Sequence, residues 1–175
     1  RGASNAIAQL TGAERARGVV GVSTGNHGRG LAYAARAAGV RCIICMSKLV
    51  PQAKIDGIKA QGAEVRIIGR SQDEAQEEVD RLVAEEGMTM IPPFDHRAII
   101  AGQGTLGLEL VEQVPDLDTV LVAGGFGSFI RRDKAQRLGL LPPEVDHRRI
   151  HYVGNVSLAG ARWALRSRLD RLKLA

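Results

Sequence analysis

Aromatic residues are scarce in this sequence of 175 residues, in which phenylalanine, tryptophan and tyrosine together make up 3%. A core must therefore rest on aliphatic side chains, and hydrophobic residues do make up 45% of the chain. No apolar run approaches the roughly 20 residues that a membrane-spanning helix needs, and no signal peptide is recognisable. The composition predicts a cytoplasmic globular protein of one or two domains without a membrane partner.

Cysteines are equally few. Cys42 and Cys45 lie three residues apart in one predicted strand, and no second pair of cysteine or histidine residues with metal-ligand spacing accompanies them. Residues three apart on a strand point to opposite faces, which disfavours a shared metal ion or a disulfide. We therefore predict two buried free thiols and no metal site.

Charge is distributed unevenly along the chain. Residues 1–118 contain 13 Lys and Arg against 15 Asp and Glu, whereas residues 119–175 contain 11 against 4. A basic tail can indicate nucleic-acid binding, but here no aromatic residues are interleaved with the charges and no binding motif is present. We therefore interpret the arginines as the solvent face of a final helix, and we predict no nucleic-acid partner.

Short β-type runs alternate with helix-type segments along the chain. The predicted strands cover residues 19–23, 41–46, 64–68, 88–91, 119–123 and 149–153, and the predicted helices cover residues 27–38, 51–61, 72–86 and 97–113. Gly39, Gly62 and Gly87 each follow a predicted helix, where a capping glycine is common. This alternation predicts an α/β fold of three layers, with a mostly parallel sheet and helices on both faces.

The most informative stretch is STGNHG, residues 23–28, where a predicted strand turns into a predicted helix. A small, polar loop broken by glycine aims backbone N–H groups and short side-chain donors at one point, which suits a carboxylate. The alternative is an ordinary turn, in which a serine or threonine caps the helix and the glycines allow tight geometry. Spacing alone leaves both interpretations open.

The residues themselves carry more information. STGNHG closely resembles the asparagine loop of the pyridoxal-phosphate-dependent serine/threonine dehydratases, which have fold type II. Two further segments resemble motifs of that family in the same order, namely RGASN at residues 1–5 and PFD followed by AGQGT at residues 93–105. The resemblance covers residues 1–118 and is closest to the hydroxyectoine-utilisation dehydratases.

The resemblance implies pyridoxal 5'-phosphate as cofactor and a hydroxy amino acid such as threonine or serine as the small-molecule substrate. It implies that Asn26 hydrogen-bonds the ring hydroxyl of the cofactor, and that four residues line the substrate carboxylate pocket: Ser23, Thr24, Gly25 and His27. For His27 the alternative is a solvent-facing position at a helix start. The helix that contains Gln103 either has one edge beside this pocket or packs closely against the sheet through Gly102 and Gly104. Family members commonly form dimers or tetramers, so a homo-oligomer is expected.

No residue of this chain occupies the Schiff-base position of the family motif. That lysine stands two residues before the arginine that matches Arg1, so the sequence begins just after it. The lysines that are present lie outside the family's motifs: Lys48, Lys54, Lys59, Lys134 and Lys173. We therefore assign no catalytic residue, and we expect a fragment that does not turn over substrate alone.

From residue 119 onward the resemblance changes. AGGFGS at residues 123–128, LGLLP at 138–142 and VGN at 153–155 resemble the C-terminal end of the ATP-dependent reductive activators of corrinoid proteins. We therefore predict a chimera or fusion, in which residues 1–118 are dehydratase-like and residues 119–175 complete the sheet. Gly124, Gly125 and Gly127 are candidate N–H donors to the cofactor phosphate. The alternatives are a simple glycine turn, a nucleotide-binding fragment of an activator, or a non-catalytic folded segment.

Overall fold

The computed structural model describes residues 1–124, 127–156 and 159. The backbone forms two compact units, Arg1–Gln103 and Gly104–Ala175. Their boundary falls earlier than residue 118, where the sequence resemblance changes. Gly125, one of the three candidate phosphate donors, lies outside the described residues.

Helices and strands alternate in the first unit after two short N-terminal helices. Its elements are α1 (Gly2–Ala8), α2 (Gly12–Arg17), β1 (Val19–Val22), α3 (Asn26–Ala37), β2 (Cys42–Met46), α4 (Gln52–Lys59), β3 (Glu64–Ile67), α5 (Gln72–Glu86) and β4 (Thr89–Met90). Helix α6 (Arg97–Gln113) begins in this unit and continues past its boundary. The strands and the four helices that the sequence predicts are confirmed within a few residues. Among the described helices, none combines the length and apolar character needed to cross a membrane.

Four strands form one parallel sheet in the order β3-β2-β1-β4. Val19 of β1 lies opposite Cys42 of β2 on one side and opposite Thr89 of β4 on the other. The chain thus adds β2 and β3 outward from β1 and then returns to place β4 on the other side of β1. The direction in which strands are added therefore reverses at β1.

Helices cover both faces of this sheet, because the side chains of each strand point alternately to two hydrophobic clusters. Val19 and Ile44 pack in the cluster that includes residues of α3 and α4. Val20 and Ile43 pack in the second cluster, against α5. Burial on both sides explains why β1 and β2 read as continuous apolar runs. The predicted three-layer α/β architecture is confirmed.

The two cysteines follow the same alternation. Cys42 belongs to the cluster on the α3 face and Cys45 to the cluster on the α5 face, and both are buried free thiols, as predicted. Burial raises the pKa of Cys42 to about 12 and that of Cys45 to about 11. Both thiols are therefore protonated near neutral pH, which makes them poor nucleophiles and poor metal ligands.

The hydrophobic pattern does not predict α1 and α2. Helix α2 has no buried residue, so it presents no apolar stripe that a periodicity search would find. A capping box holds it instead, since Thr11 Oγ1 accepts a bond from the Glu14 backbone N–H and the Glu14 carboxylate accepts one from the Thr11 N–H. The T-x-x-E spacing in the sequence is the signal that identifies such a helix start.

The second unit has a small sheet of its own. Strands β5 (Val120–Val122) and β6 (Ile150–Tyr152) pair in parallel, and α7 (Arg132–Arg137) comes between them in the chain. Buried Ala135, Leu141, Val145 and Ile150 form a separate core beside them. Among the described residues, β5 and β6 form a two-stranded sheet, and completion of the larger sheet by residues 119–175 stays a prediction. This apolar core gives the strand pair β5-β6 its own packing surface.

A cluster of charged side chains joins α5 to β3. The Glu78 carboxylate accepts a hydrogen bond from Arg66 Nη1 at 2.7 Å and two from Arg81 Nε and Nη2 at 2.8 Å. The Glu78 side chain is only 14% exposed. The bonds from Arg81 and Arg66 hold the pKa of Glu78 at about 2, well below its usual range.

Replacing Glu78 by Gln is expected to lower the free energy of unfolding at pH 7 by about 1 kcal/mol, because the bonds from both arginines lose a charged acceptor. Since the folded-state pKa lies below the unfolded value of 4.5, this stabilisation is present above that value and is lost as the pH falls towards 2. Urea unfolding of both proteins should therefore show a difference that is constant above pH 5.5 and shrinks between pH 4.5 and 2. The exposed neighbour variant Glu77→Gln should stay within about 0.5 kcal/mol of the wild type. Equal stability of Glu78→Gln and wild type at pH 7 would contradict this role.

Candidate functional site

The segment STGNHG begins at the carboxyl end of β1, and its last three residues open α3. Strand β1 lies between β2 and β4, at the point where the order of strand addition reverses. In open parallel sheets, ligands bind outside the carboxyl ends of the strands at such a reversal. The fold therefore places the segment where a ligand site is expected.

Ser23 organises the start of α3. It is 7% exposed, and its Oγ accepts hydrogen bonds from the backbone N–H groups of Gly28 at 2.9 Å and Gly25 at 3.3 Å. Gly25, the residue just before the helix, has no side chain that could cap it. Ser23 Oγ satisfies the first-turn donor instead, as an N-cap side chain would. The structure thus gives this predicted substrate residue a capping role, with its oxygen engaged inside the loop.

Gly28 allows α3 to approach the sheet closely. A Cβ atom at this position would lie 3.2 Å from each of three atoms, Ile44 Cγ2, Ile58 Cδ1 and Ser23 Cβ. Such contacts are tighter than ordinary van der Waals packing in a protein core. The second glycine of STGNHG therefore serves the close packing that also buries Ser23.

His27 ties the loop to the end of β4. Its Nε2 lies 2.9 Å from the carbonyl oxygen of Ile91, and because a carbonyl only accepts, Nε2 carries the hydrogen. Burial lowers the pKa of His27, and the bond to Ile91 opposes this with a smaller effect. The ring is only partly accessible, so the solvent-facing alternative does not describe it. The structure places a neutral imidazole between two neighbouring strand ends.

Asn26 is exposed at the first position of α3, and Thr24 and Gly25 beside it are half-buried. Within the described part of the chain, the Asn26 side chain has no hydrogen-bond partner. It lines a cavity of about 290 Å³ together with Arg29 of α3 and Lys54 of α4. The i,i+3 spacing from Asn26 signals that Arg29 shares its helix face. Lys54 comes from another helix, and no local pattern could have identified it.

Residues 1–5 and residues 93–103 of the second motif segment pack against each other within the first unit. Asn5 Nδ2 donates to the Ala98 carbonyl oxygen at 2.7 Å, and Gln103 Oε1 accepts from the Gly2 N–H at 3.2 Å. A Cβ on Gly102 would lie 2.7 Å from Gly2 Cα. Close packing, the second of the two interpretations for this region, is therefore what the contacts of Gly102 and Gln103 show.

The glycines after β5 use their N–H groups within the second unit. The Gly124 N–H donates to the Gly154 carbonyl at 2.9 Å, and the Gly127 N–H donates to the Gly124 carbonyl at 3.2 Å. A Cβ on Gly127 would lie 2.5 Å from the Tyr152 ring. The N–H groups of the two described glycines thus have backbone partners in a turn beside Tyr152, and their role as phosphate donors stays a prediction.

The residues present fit the two ends of pyridoxal phosphate unequally. Asn26 has an exposed amide without a described partner, which suits a bond to a ring hydroxyl, and Thr24 and Gly25 are partly accessible beside it. The amides of Gly124 and Gly127, proposed for the phosphate, are engaged with backbone carbonyl oxygens. Among the described residues, no group of His, Cys, Asp and Glu side chains could hold a metal ion.

Comparison with known proteins shows which family this chain resembles. The model of the family described as "Pyridoxal-phosphate dependent enzyme" matches residues 1–131. A provisionally named threonine dehydratase of Sinorhizobium fredii is 64% identical over 122 residues, which is 70% of this chain and 37% of that protein. The biosynthetic L-threonine dehydratase of Haemophilus influenzae is 43% identical over 129 residues, which is 74% of this chain and 25% of that protein. The chain thus spans well under half the length of these relatives.

Solved structures show the same likeness. The processed form of threonine deaminase isoform 2 from Solanum lycopersicum superposes with a TM-score of 0.71 at 35% identity, over 88% of this chain and 41% of that one. Maize serine racemase superposes with a TM-score of 0.72 at 30% identity, over 87% of this chain and 45% of that one.

Replacing Ser23 by Ala is expected to lower the free energy of unfolding by about 1 to 2 kcal/mol, because two backbone N–H groups lose their acceptor in a buried position. Urea denaturation at pH 7 measures the change. Thr24→Ala is the control from the same loop, since the Thr24 hydroxyl has no partner among the described residues. It should change the stability by less than about 0.5 kcal/mol, and losses of equal size in both variants would argue against the capping role.

The wild type is expected to lose more stability than His27→Gln as the pH falls from 7.5 to 5. Because burial lowers the folded-state pKa of His27 below its usual 6.5, the unfolded chain takes up the proton first, and stability decreases once the pH is below that value. Glutamine keeps an N–H donor for Ile91 but does not titrate. NMR of the imidazole nitrogens gives both the pKa and the position of the hydrogen. A pKa above 6.5, or a neutral ring protonated at Nδ1, would overturn this assignment.

Proposed function

The chain belongs to the family of pyridoxal-phosphate dependent enzymes, and from this membership we propose that it forms part of a dehydratase (ammonia-lyase) of a hydroxy amino acid such as threonine or serine. The observation that carries the proposal is the STGNHG loop at the carboxyl end of β1, where the strand order reverses. The printed names of the relatives support the same reaction class, since threonine dehydratases are 64% and 43% identical to this chain over their matched segments.

Pyridoxal phosphate, the cofactor of this family, supplies an electron sink through which a hydroxy amino acid can lose its α-proton and β-hydroxyl. In our proposal Asn26 holds the ring hydroxyl of the cofactor, and Thr24 and Gly25 receive the substrate carboxylate. Ser23 fixes the shape of this loop from inside, through its bonds to Gly25 and Gly28. His27 keeps the loop against the end of β4. Orientation of this kind lowers the entropic part of a reaction barrier.

We assign no catalytic residue, because no lysine in the sequence stands in the family's Schiff-base motif. We propose that turnover requires an S-x-K-x segment ahead of Arg1, and that the chain without it binds the cofactor weakly or not at all. The engaged amides of Gly124 and Gly127 support weak binding, since they leave the phosphate without those donors.

Four further proposals concern the kind of dehydratase, its location, its oligomeric state and the origin of the C-terminal residues. We propose that the relevant dehydratases are those of hydroxyectoine utilisation, that the protein acts in the cytoplasm, and that it forms homo-oligomers. We also propose that residues 119–175 have a separate origin, which the shift from a slightly acidic to a strongly basic composition supports, whereas the family match extends to residue 131 within this segment. The relatives give no support to the nucleotide-binding alternative.

Adding the S-x-K-x segment ahead of Arg1, together with the family's glycine loop in place of residues 124–128, is expected to give a protein that forms keto acid from threonine or serine. The keto acid is measured with a coupled dehydrogenase. Borohydride reduction in the presence of pyridoxal phosphate, followed by peptide mass spectrometry, should place one adduct on the added lysine. A protein with intact circular dichroism that forms neither keto acid nor adduct would refute the proposal.

In that extended protein, Asn26→Ala is expected to weaken cofactor binding about tenfold, the loss that one hydrogen bond of about 1.4 kcal/mol brings. Titration of the cofactor absorbance measures this. Gln72→Ala, which removes an exposed amide at the start of α5, is the matched control and should leave the affinity unchanged. An unchanged spectrum and affinity in Asn26→Ala would remove Asn26 from the site.

A further inference from the structure

We propose that the groove between α3 and α4 binds a small organic oxyanion through Arg29 and Lys54, two side chains that have no part in the proposed dehydratase site, in a groove that borders Gly25 and Asn26 of that site. The α3/α4 groove consists of two cavities that share Asn26 and Arg29. One has a volume of about 290 Å³ and reaches Lys54 on α4, and the other has a volume of about 390 Å³ and reaches Gln61 just beyond α4. Volumes of this size accommodate a small metabolite.

Two cationic side chains line this groove without a counterion. Arg29 and Lys54 are both exposed, and neither forms an ion pair with another residue in the part of the chain that the structure describes. No acidic side chain is among the described residues that line the two cavities. Three arginines of the first unit differ in this respect, since Arg41 pairs with Glu86, Arg66 with Glu78 and Arg81 with Glu78 and Glu85. Two unpaired cations facing one concave space make it attractive to an anion.

The backbone leaves room for a ligand to come close to these charges. A Cβ atom at Gly25 or Gly57 would meet no other atom within 4 Å, so both positions border open space. Both glycines line the cavity that contains Arg29 and Lys54. An oxyanion can therefore reach the guanidinium and ammonium groups without first displacing a neighbouring side chain.

Gln61 adds a second polar feature at the other end of the groove. Its Oε1 is buried and has no hydrogen-bond partner among the described residues. An unsatisfied buried acceptor is destabilising. The Gln61 oxygen has no hydrogen bond that must break before the side chain turns towards a ligand. A ligand N–H or O–H group placed here would satisfy it. The preferred ligand therefore carries an oxyanion for Arg29 and Lys54 and a hydrogen-bond donor for Gln61.

This inference does not depend on the proposed dehydratase function, because its test uses neither pyridoxal phosphate nor turnover. The shared chemistry is an oxyanion, which a phosphate ester or a carboxylate can supply. Inorganic phosphate, glycerol 3-phosphate and succinate are therefore titrated separately into the full chain at constant ionic strength. Calorimetry gives the affinities, and NMR chemical shifts locate the binding.

We expect saturable binding of at least one of these anions, with shift changes centred on residues 25–30 and 54–61. Glycerol 3-phosphate, which has hydroxyl donors, should bind more tightly than inorganic phosphate, and Gln61→Leu should remove that advantage. Tighter binding of succinate than of either phosphate would identify a carboxylate site of the same kind. Lys54→Gln and Arg29→Gln should each weaken binding about tenfold, as expected for loss of one charge-assisted hydrogen bond.

Lys59→Gln is the matched control, because Lys59 is a second exposed lysine on α4 and lies outside the lining of both cavities. It should change the affinity less than twofold. Equal weakening by Lys54→Gln and Lys59→Gln would show general attraction to a basic protein and would overturn the site. Binding that is unchanged in Arg29→Gln and Lys54→Gln, or absent for all three anions, would overturn it too. Circular dichroism of each variant confirms that the exposed substitutions leave the fold intact.

Discussion

The close contact between the start of α3 and the sheet is the constraint on which the candidate site depends. Gly28 brings the first turn of the helix against Ile44 and Ile58, so closely that a Cβ atom there would lie 3.2 Å from both side chains. That approach buries Ser23, whose Oγ then has two backbone N–H groups as its donors. The loop in front of the helix is thereby fixed in shape, because its polar groups are satisfied internally. A loop of fixed shape can present Asn26 outward and loses little conformational entropy when a ligand binds.

The order of the strands places the end of β4 next to this loop. Because β4 joins the sheet on the far side of β1, the Ile91 carbonyl comes within hydrogen-bond distance of His27. The end of β4 and the start of α3 are thus connected directly. The motif segments at residues 1–5 and 93–103 stabilise the scaffold around them, through Asn5 and Gln103. Some residues of the motifs therefore fix the shape of the loop, and others remain available to a ligand.

Much of the fold could be predicted from the sequence, because buried parallel strands and amphipathic helices leave strong local patterns. The strands β1 and β2 and the helix α5 are examples, as are the glycines that end three helices with positive φ. Helix α2 was missed because it buries nothing. The pairing of β5 with β6 could not be predicted either, since a short apolar strand carries no information about its partner.

The sequence by itself determined the family, the α/β class and the position of STGNHG between a strand and a helix, because each rests on residue identity and periodicity. The tertiary structure decided which of these side chains face inward. Ser23 and Asn26 are three residues apart in one motif, yet one caps a helix from inside and the other is exposed. It also decided that Lys54 shares a groove with Arg29. Such pairings depend on how separate helices pack, and no local pattern encodes the distance between two elements that are far apart in the chain.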